Sequence, residues 1–354
     1  MEMPGEVILP NAKELQYCGR IDLTNELEPV FVYACSFVTF KFTGTTIRVI
    51  ISNMHCYYDN YIGYIIDGKQ GKIKLSQGQD KECILLKDNL EDKEHEIILF
   101  KRMDACHYFT LFGFIIDEGA VVNSAPSFPT RRIEVYGDSV SAGELSEAID
   151  YIGKPDPKHN GEYSNSWYSY AWMTARKLEA QIHDIAQGGI SLLDGTGWFG
   201  APHYYGMEHT WDKLRYHLEL GPKTPWDFAK YVPHVVVVAI GQNDNNPIDY
   251  MKENYQGEKA SRWRIQYAEW IKKIRKTYPN ALIILSTTIL NHHANWDKAI
   301  GEVCEELGDE KIVHFLYKKN GQGTPGHIRI MEAEEMADEL SEFIQSFGDE
   351  IWNG

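Results

Sequence analysis

The feature that most constrains the fold is a change of hydrophobic pattern near residue 130. Before it, from about residue 17 to 118, apolar and β-branched residues come in short runs: VFVYACSFVTFKF (30–42), TTIRVIIS (45–52), IGYIIDG (62–68), ECILL (82–86), HEIILFKR (95–102) and YFTLFGFIID (108–117). Turn-forming stretches such as TG, DG, GKQGK and NLEDKE separate these runs, and no long helical pattern interrupts them. Short strands at this spacing predict a sandwich or jelly roll. The segment NSAPSFPTRR (123–132), with two prolines among small hydroxyl residues, reads as a linker. After it, strands at 131–137, 179–189, 233–241, 281–289 and 311–317 alternate with helical patterns at 164–180, 261–278, 297–307 and 332–347. Apolar runs such as VVVVAI and ALIIL suit a parallel sheet covered by helices on both faces. The predicted architecture is therefore a jelly-roll-like β-sandwich over 1–125, followed by a three-layer α/β/α domain with a parallel sheet over 130–354.

Charge narrows the partners. The chain has 51 acidic and 35 basic side chains, a formal charge of −16, which repels nucleic acid and anionic lipid and suits a neutral or cationic substrate. No run approaches the ~20 apolar residues of a membrane span. The opening MEMPGEVILPNAKELQ lacks a basic region followed by an apolar core, so a cytoplasmic location is expected. Six cysteines, at 18, 35, 56, 83, 106 and 304, form no CxxC pair and are expected to be reduced, mostly buried thiols. His292-His293 and Cys106-His107 lack accompanying ligands, so no metal is predicted.

In doubly wound sheets the chemistry lies at the carboxyl ends of the strands. There the sequence places Gly137-Asp138-Ser139-Val140-Ser141-Ala142-Gly143, then Gln187-Gly188-Gly189-Ile190-Ser191, then Gly241-Gln242-Asn243-Asp244, and finally His327 just before the last helix. Ester hydrolysis needs a nucleophile, a base, and donors aimed at the developing oxyanion. Ser139 supplies the hydroxyl and His327 the base. The backbone N–H groups of Ser139 and Gly189 and the amide of Asn243 form the expected oxyanion hole, with Gly188 as rival to Gly189. No organic cofactor or metal is required.

These four blocks, in this order, resemble those of the SGNH or GDSL-type hydrolases. A β-rich module preceding them narrows the resemblance to the family-2 carbohydrate esterases, whose N-terminal module opens in a way similar to residues 17–51. The resemblance implies removal of acetyl groups from plant polysaccharides or oligosaccharides, with an acetylated carbohydrate as the only partner and oligomeric state left open. It leaves two rivals: a general short-chain arylesterase or thioesterase, and a non-catalytic carbohydrate-binding protein. One departure stands out. Most SGNH hydrolases carry an aspartate three residues before the histidine, and here that position is Thr324. The resemblance implies a Ser-His dyad with a backbone carbonyl orienting the imidazole; Glu332 or Asp194 are the alternative carboxylates. In the aromatic stretch TGWFGAPHYYGMEHTW (196–211), Trp198 and Tyr204, together with Trp296, are candidates for stacking on sugar faces, against a packing role for the same rings.

Overall fold

The computed structural model describes residues 5–353. Its N-terminal part consists of two antiparallel sheets packed face to face. One runs in the order Ile21–Asp22, Val30–Phe31, His107–Ile116, Ile47–His55, Glu82–Lys87, with Glu6–Ile8 added on His107–Ile116. The other runs Val122–Asn123, Phe37–Gly44, Lys93–Lys101, Tyr61–Ile66, Lys69–Lys74, with Gln16–Cys18 beside Phe37–Gly44. Alternate residues point inward, as the two-residue strand period requires: Val38, Phe40 and Phe42 from one sheet meet Ile47, Val49 and Ile51 from the other in one core.

Two strand predictions need correction. The run 30–42 is not one strand but two, Val30–Phe31 and Phe37–Gly44, which lie in different sheets. A corner at Cys35, with φ 61°, carries the chain between them. Residues 31–35 are all buried because the corner packs on the second domain, so hydrophobicity did not reveal the break. GKQGK, read as a breaker, instead begins the strand Lys69–Lys74, paired to Tyr61–Ile66 through a two-residue Asp67-Gly68 turn. Both turn residues have positive φ, as the hairpin turn with the right twist demands. The lysines mark an exposed edge, a common protection against edge-to-edge pairing.

The second part is a five-stranded parallel sheet in the order Ala180–Ala186, Arg131–Gly137, Val235–Ala239, Leu282–Ser286, Ile312–His314. Val236 and Val238 face the helices Glu258–Thr277 and Asn295–Leu307, through Trp263, Trp270 and Ile300. Val235 and Val237 face the helices Tyr170–Lys177 and Ile330–Gln345, through Ala171, Met336 and Leu340. Both cores continue into the β-sandwich, one through Val32, Tyr33 and Tyr108 and the other through Ala34, Ile65 and Phe100. A buried ion pair crosses the same junction: Arg20 Nη2 lies 3.2 Å from Glu134 Oε2, and both side chains are fully buried. The Tyr136 and Tyr278 hydroxyls donate to Glu134 Oε1 at 2.5 and 2.8 Å, so the buried carboxylate is satisfied. The two parts are thus fused over a continuous apolar surface. In strand order 2-1-3-4-5 the switch point falls between Arg131–Gly137 and Val235–Ala239, and a ligand crevice is expected at their carboxyl ends.

Among the described residues the six cysteines are free thiols. Cys18, Cys35 and Cys106 are buried, Cys56 and Cys304 half-buried, and Cys83 exposed. Among the described residues no helix is long and apolar enough to cross a membrane.

Candidate active site

At the end of Arg131–Gly137 the chain turns directly into the short helix Ser139–Ala142. Asp138, rather than the serine, is its N-cap: Oδ1 accepts the Val140 N–H at 3.0 Å. Gly143 ends the helix with φ 76°, and a Cβ there would come within 2.6 Å of Asn165 O. This tight strand–turn–helix leaves Ser139 on the wall of a 750 Å³ cleft.

Ser139 Oγ is 2.8 Å from His327 Nε2, and His327 Nδ1 is 2.6 Å from Asp156 Oδ2. The third member that the dyad expectation lacked is therefore present, as a side-chain carboxylate from a distant loop. Asp156 also accepts the backbone N–H of His327 at 2.9 Å and Arg329 Nη2 at 2.8 Å. Neither alternative acid has this role. Glu332 Oε2 accepts the Arg329 backbone N–H at the start of the last helix. Asp194 accepts the Gly206 N–H and pairs with His209. Thr324 O accepts the Asn291 N–H, tying this segment to the loop after Leu282–Ser286.

No spacing rule leads to Asp156, which lies 171 residues before its partner. The local signals are two. Pro155 and Pro157 flank it and restrict its backbone. Gly326, just before the histidine, has no side chain where a Cβ would sit 2.7 Å from Asp156 Oδ1 and 2.8 Å from Lys154 O. Only glycine lets the loop press against His327.

The charges around this triad are coupled. Burial alone would raise the Asp156 carboxyl, but hydrogen bonds from His159, His327 and Arg329 hold it well below the ordinary carboxylate range. Burial likewise pulls the His327 imidazole down, yet the Asp156 hydrogen bond and the charges of Glu144 and Asp156 outweigh it and raise its pKa. His159, hydrogen-bonded to Asp156 and Glu144, is pushed up to about 9. Its Nδ1 is 2.7 Å from Glu144 Oε1. An ionised Asp156 can only accept, so it fixes the His327 proton on Nδ1 and leaves the Nε2 lone pair facing Ser139.

The expected oxyanion donors line the same cleft. Gly188 and Gly189 differ in what their N–H groups do. That of Gly188 donates to Asp104 Oδ2 at 2.5 Å, whereas that of Gly189 has no partner among the described residues. Gly189 has φ 72°, and a Cβ on it would approach Trp198 Cβ to 2.7 Å. Asn243 reaches the cleft, but its Nδ2 donates to Asp138 Oδ2 at 3.0 Å and to Ile190 O at 3.1 Å. Asp138 also accepts from Gln242 Nε2 at 2.5 Å, and burial pushes its pKa up to about 6.

The aromatic candidates separate. Trp198, 63% exposed, stands on the cleft wall. Tyr204 is half-buried and does not line the cavity. Trp296 is 0% exposed: it packs against Trp263 and Tyr250, and its Nε1 donates to Asp249. A ring with no accessible face cannot stack on a sugar, so the expectation for Trp296 is corrected to a core role. The sequence reading missed the contribution of the β-sandwich, which brings Tyr57, Tyr58 and Asp104 to the cleft. The only signal for it was a paired aromatic in CYYD, between two strands. His217 and Glu219 also line the cleft.

Two groups of described residues have potential ligand atoms within 4.8 Å of one another: Asp156, His159 and His327, and Asp194, Glu208 and His209. In the first, both His327 nitrogens are committed to Asp156 and Ser139, so a metal would displace the hydrogen bonds that join base to nucleophile. The second lies away from the cleft lining.

A parallel sheet with a Ser-His-Asp array at its switch point is the arrangement of a serine hydrolase. The comparisons refine this. Residues 17–126 match the family model for the carbohydrate esterase 2 N-terminal domain. The cellulase/esterase CelE of Acetivibrio thermocellus is 29% identical over 93% of this chain, and the chain spans 39% of that relative's length. An acetylxylan esterase/glucomannan deacetylase of Cellvibrio japonicus is 26% identical over 86% of this chain and 83% of its own length. A family-two carbohydrate esterase from Clostridium thermocellum, solved with cellohexaose, superposes with a TM-score of 0.78 at 25% identity, covering 94% of this chain and 98% of that one. The chain is therefore similar to the family-2 carbohydrate esterases, in its N-terminal module by the family model and over nearly its whole length by fold.

Proposed function

We propose that this chain is a carbohydrate O-acetyl esterase that releases acetate from acetylated plant polysaccharides or oligosaccharides. The observation that carries the chemistry is the unbroken line Ser139 Oγ, His327 Nε2, His327 Nδ1, Asp156 Oδ2 inside an open cleft. The likeness to the Acetivibrio cellulase/esterase and the Cellvibrio acetylxylan esterase/glucomannan deacetylase, and the cellohexaose bound by the Clostridium structure, support a carbohydrate ester as substrate.

In this reading Ser139 Oγ attacks the acetyl carbonyl while its proton passes to His327 Nε2. The imidazolium is stabilised by Asp156. The carbonyl oxygen becomes the oxyanion and is met by the N–H groups of Ser139 and Gly189, with the Asn243 amide joining as it gives up Ile190 O. The tetrahedral species collapses, the sugar–oxygen bond to the acyl carbon breaks, and His327 returns its proton to the leaving oxygen. Water, deprotonated by His327, then attacks the acetyl-enzyme; the bond from the acyl carbon to Ser139 Oγ breaks, Oγ takes the proton back from His327, and acetate is freed. Trp198 on the exposed wall offers a face for a neighbouring sugar ring.

The test is acetate release from acetylated xylo-oligosaccharides by the wild type beside Ser139→Ala. Release that the substitution abolishes is expected. A wild type that cleaves aryl acetates but no sugar ester would retain the serine esterase and overturn the carbohydrate assignment.

A further inference from the structure

Two carboxylates other than Asp156 crowd the cleft above Gly188, where a Cβ would lie 2.6 Å from Asp104 Oδ2 and 2.8 Å from Glu144 Oε2. They are not equivalent. Asp104 Oδ2 is already used, accepting from the Gly188 N–H at 2.5 Å and from Gln187 Nε2 at 3.0 Å. Glu144 uses one oxygen only: Oε1 is 2.7 Å from His159 Nδ1, and Oε2 has no hydrogen-bond donor among the described residues. That free oxygen lies 3.9 Å from His327 Nε2, the atom that must protonate the leaving group. Burial raises the Glu144 carboxyl, but the His159 hydrogen bond and the charges of His327 and His159 outweigh it, so the group stays ionised.

An ionised carboxylate accepts hydrogen bonds and donates none. A leaving sugar oxygen in reach of His327 Nε2 brings the next hydroxyl of the same ring to about one hydrogen bond's length from it. We infer that Glu144 is a specificity-determining residue, whose Oε2 accepts a hydrogen bond from a free hydroxyl adjoining the ester, so that the chain favours sugar esters with an unsubstituted neighbouring hydroxyl. His159 is the positioning residue, holding Oε1 so that Oε2 keeps its aim. The position of Glu144, one residue past the Gly143 that ends the serine's helix, ties the reading group to the nucleophile. This inference rests on the carbohydrate esterase reading and deepens it.

The test compares three acetates: a pyranoside monoacetate with a free neighbouring hydroxyl, its analogue with that hydroxyl replaced by hydrogen, and an aryl acetate. For the wild type, removing the hydroxyl is expected to lower kcat/KM roughly 10- to 100-fold, the range for a hydrogen bond to a charged group. Glu144→Gln is expected to lower kcat/KM on the parent sugar ester by a similar factor more than on the aryl acetate, and to erase most of the penalty for the missing hydroxyl. Equal losses on sugar and aryl esters, or a deoxygenation penalty that the variant retains in full, would overturn the assignment. If Glu144→Gln fails to fold by circular dichroism, the wild-type arm decides alone: no deoxygenation penalty overturns it. A wild type inactive on every sugar ester but active on the aryl acetate overturns the carbohydrate reading and this inference with it.

Discussion

The two halves of the candidate site are built on different principles. Ser139, Gly189 and Asn243 stand at the ends of neighbouring strands of one parallel sheet, where buried hydrogen bonding fixes the backbone. Glu144, Asp156 and His159 stand on the segment 144–163, which has only a single 3₁₀ turn, at Ile149–Tyr151. That segment is held from outside. Arg102 of the β-sandwich donates to Glu147 Oε2 at 2.7 Å and to Ser164 O at 3.0 Å. The Asp59 N–H donates to Asn160 O at 3.2 Å, and Lys72 Nζ donates to Glu162 O at 2.8 Å. A long loop can carry a group that must be placed closely, provided a rigid neighbour supplies the order its own backbone lacks. In this protein the β-sandwich is that neighbour, as well as a wall of the cleft.

The largest effect is expected at the base that joins the two halves: His327→Ala should lower kcat by at least about 10⁴-fold, since residues of such an array act as a unit. Steady-state rates on an aryl acetate measure it, and retention of a tenth of the activity would remove His327 as the base. On the strand-end half, Asn243→Ala should cost about 10²–10³ in kcat if its amide turns to the oxyanion, as for a single lost donor. A loss below tenfold would leave the Ser139 and Gly189 N–H groups as the hole. For the loop half, Arg102→Met should destabilise the fold by about 2–3 kcal/mol in denaturant titration. This is below the ~3–5 kcal/mol for a fully buried pair because Glu147 keeps some access to solvent. The smallest effect belongs to the rim. Trp198→Ala is expected to raise KM for acetylated oligosaccharides severalfold with little change for an aryl acetate, and equal changes would remove it as a stacking platform.

The pH dependence follows from the sign of the His327 shift. The base must be neutral to act, so activity rises with pH through its ionisation. Because Asp156 and Glu144 raise that pKa, half-maximal activity is expected above the 6.5 of an ordinary imidazole. Asp138, buried and pushed up to about 6, protonates in the same direction and loosens the Gln242 and Asn243 amides as pH falls. A pH profile of kcat/KM on an aryl acetate checks the placement of this limb.

What was legible in the sequence tracks this division. A strand end is marked by a change from apolar periodicity to glycine and polar residues, so Ser139, Gly189 and Asn243 could be picked out locally, and His327 by its place just before the last helix. The parallel sheet and the β-module were visible for the same reason. Asp156 was not, because its partner is remote in sequence and its loop has no period; the flanking prolines and Gly326 gain meaning only when the two segments meet. Trp296 misled in the opposite way. It follows a strand, as a cleft residue does, but it sits in the helix Asn295–Leu307 with its ring turned to the core. The corner at Cys35 was hidden because burial by the second domain erased the alternation that marks a strand's end.

The central claim is that a carboxylate from the loop, and not a backbone carbonyl, orients and charges the catalytic histidine. Asp156→Asn, assayed on an aryl acetate across pH 5–9, tests it most directly. The account predicts a fall in kcat of about 10²–10⁴-fold, as when the equivalent acid of a serine protease triad is neutralised. It also predicts an acid limb moved to lower pH, because the raised His327 pKa loses its main support. A variant with more than a tenth of the wild-type kcat and an unmoved acid limb would contradict the claim and return the site to a Ser-His dyad.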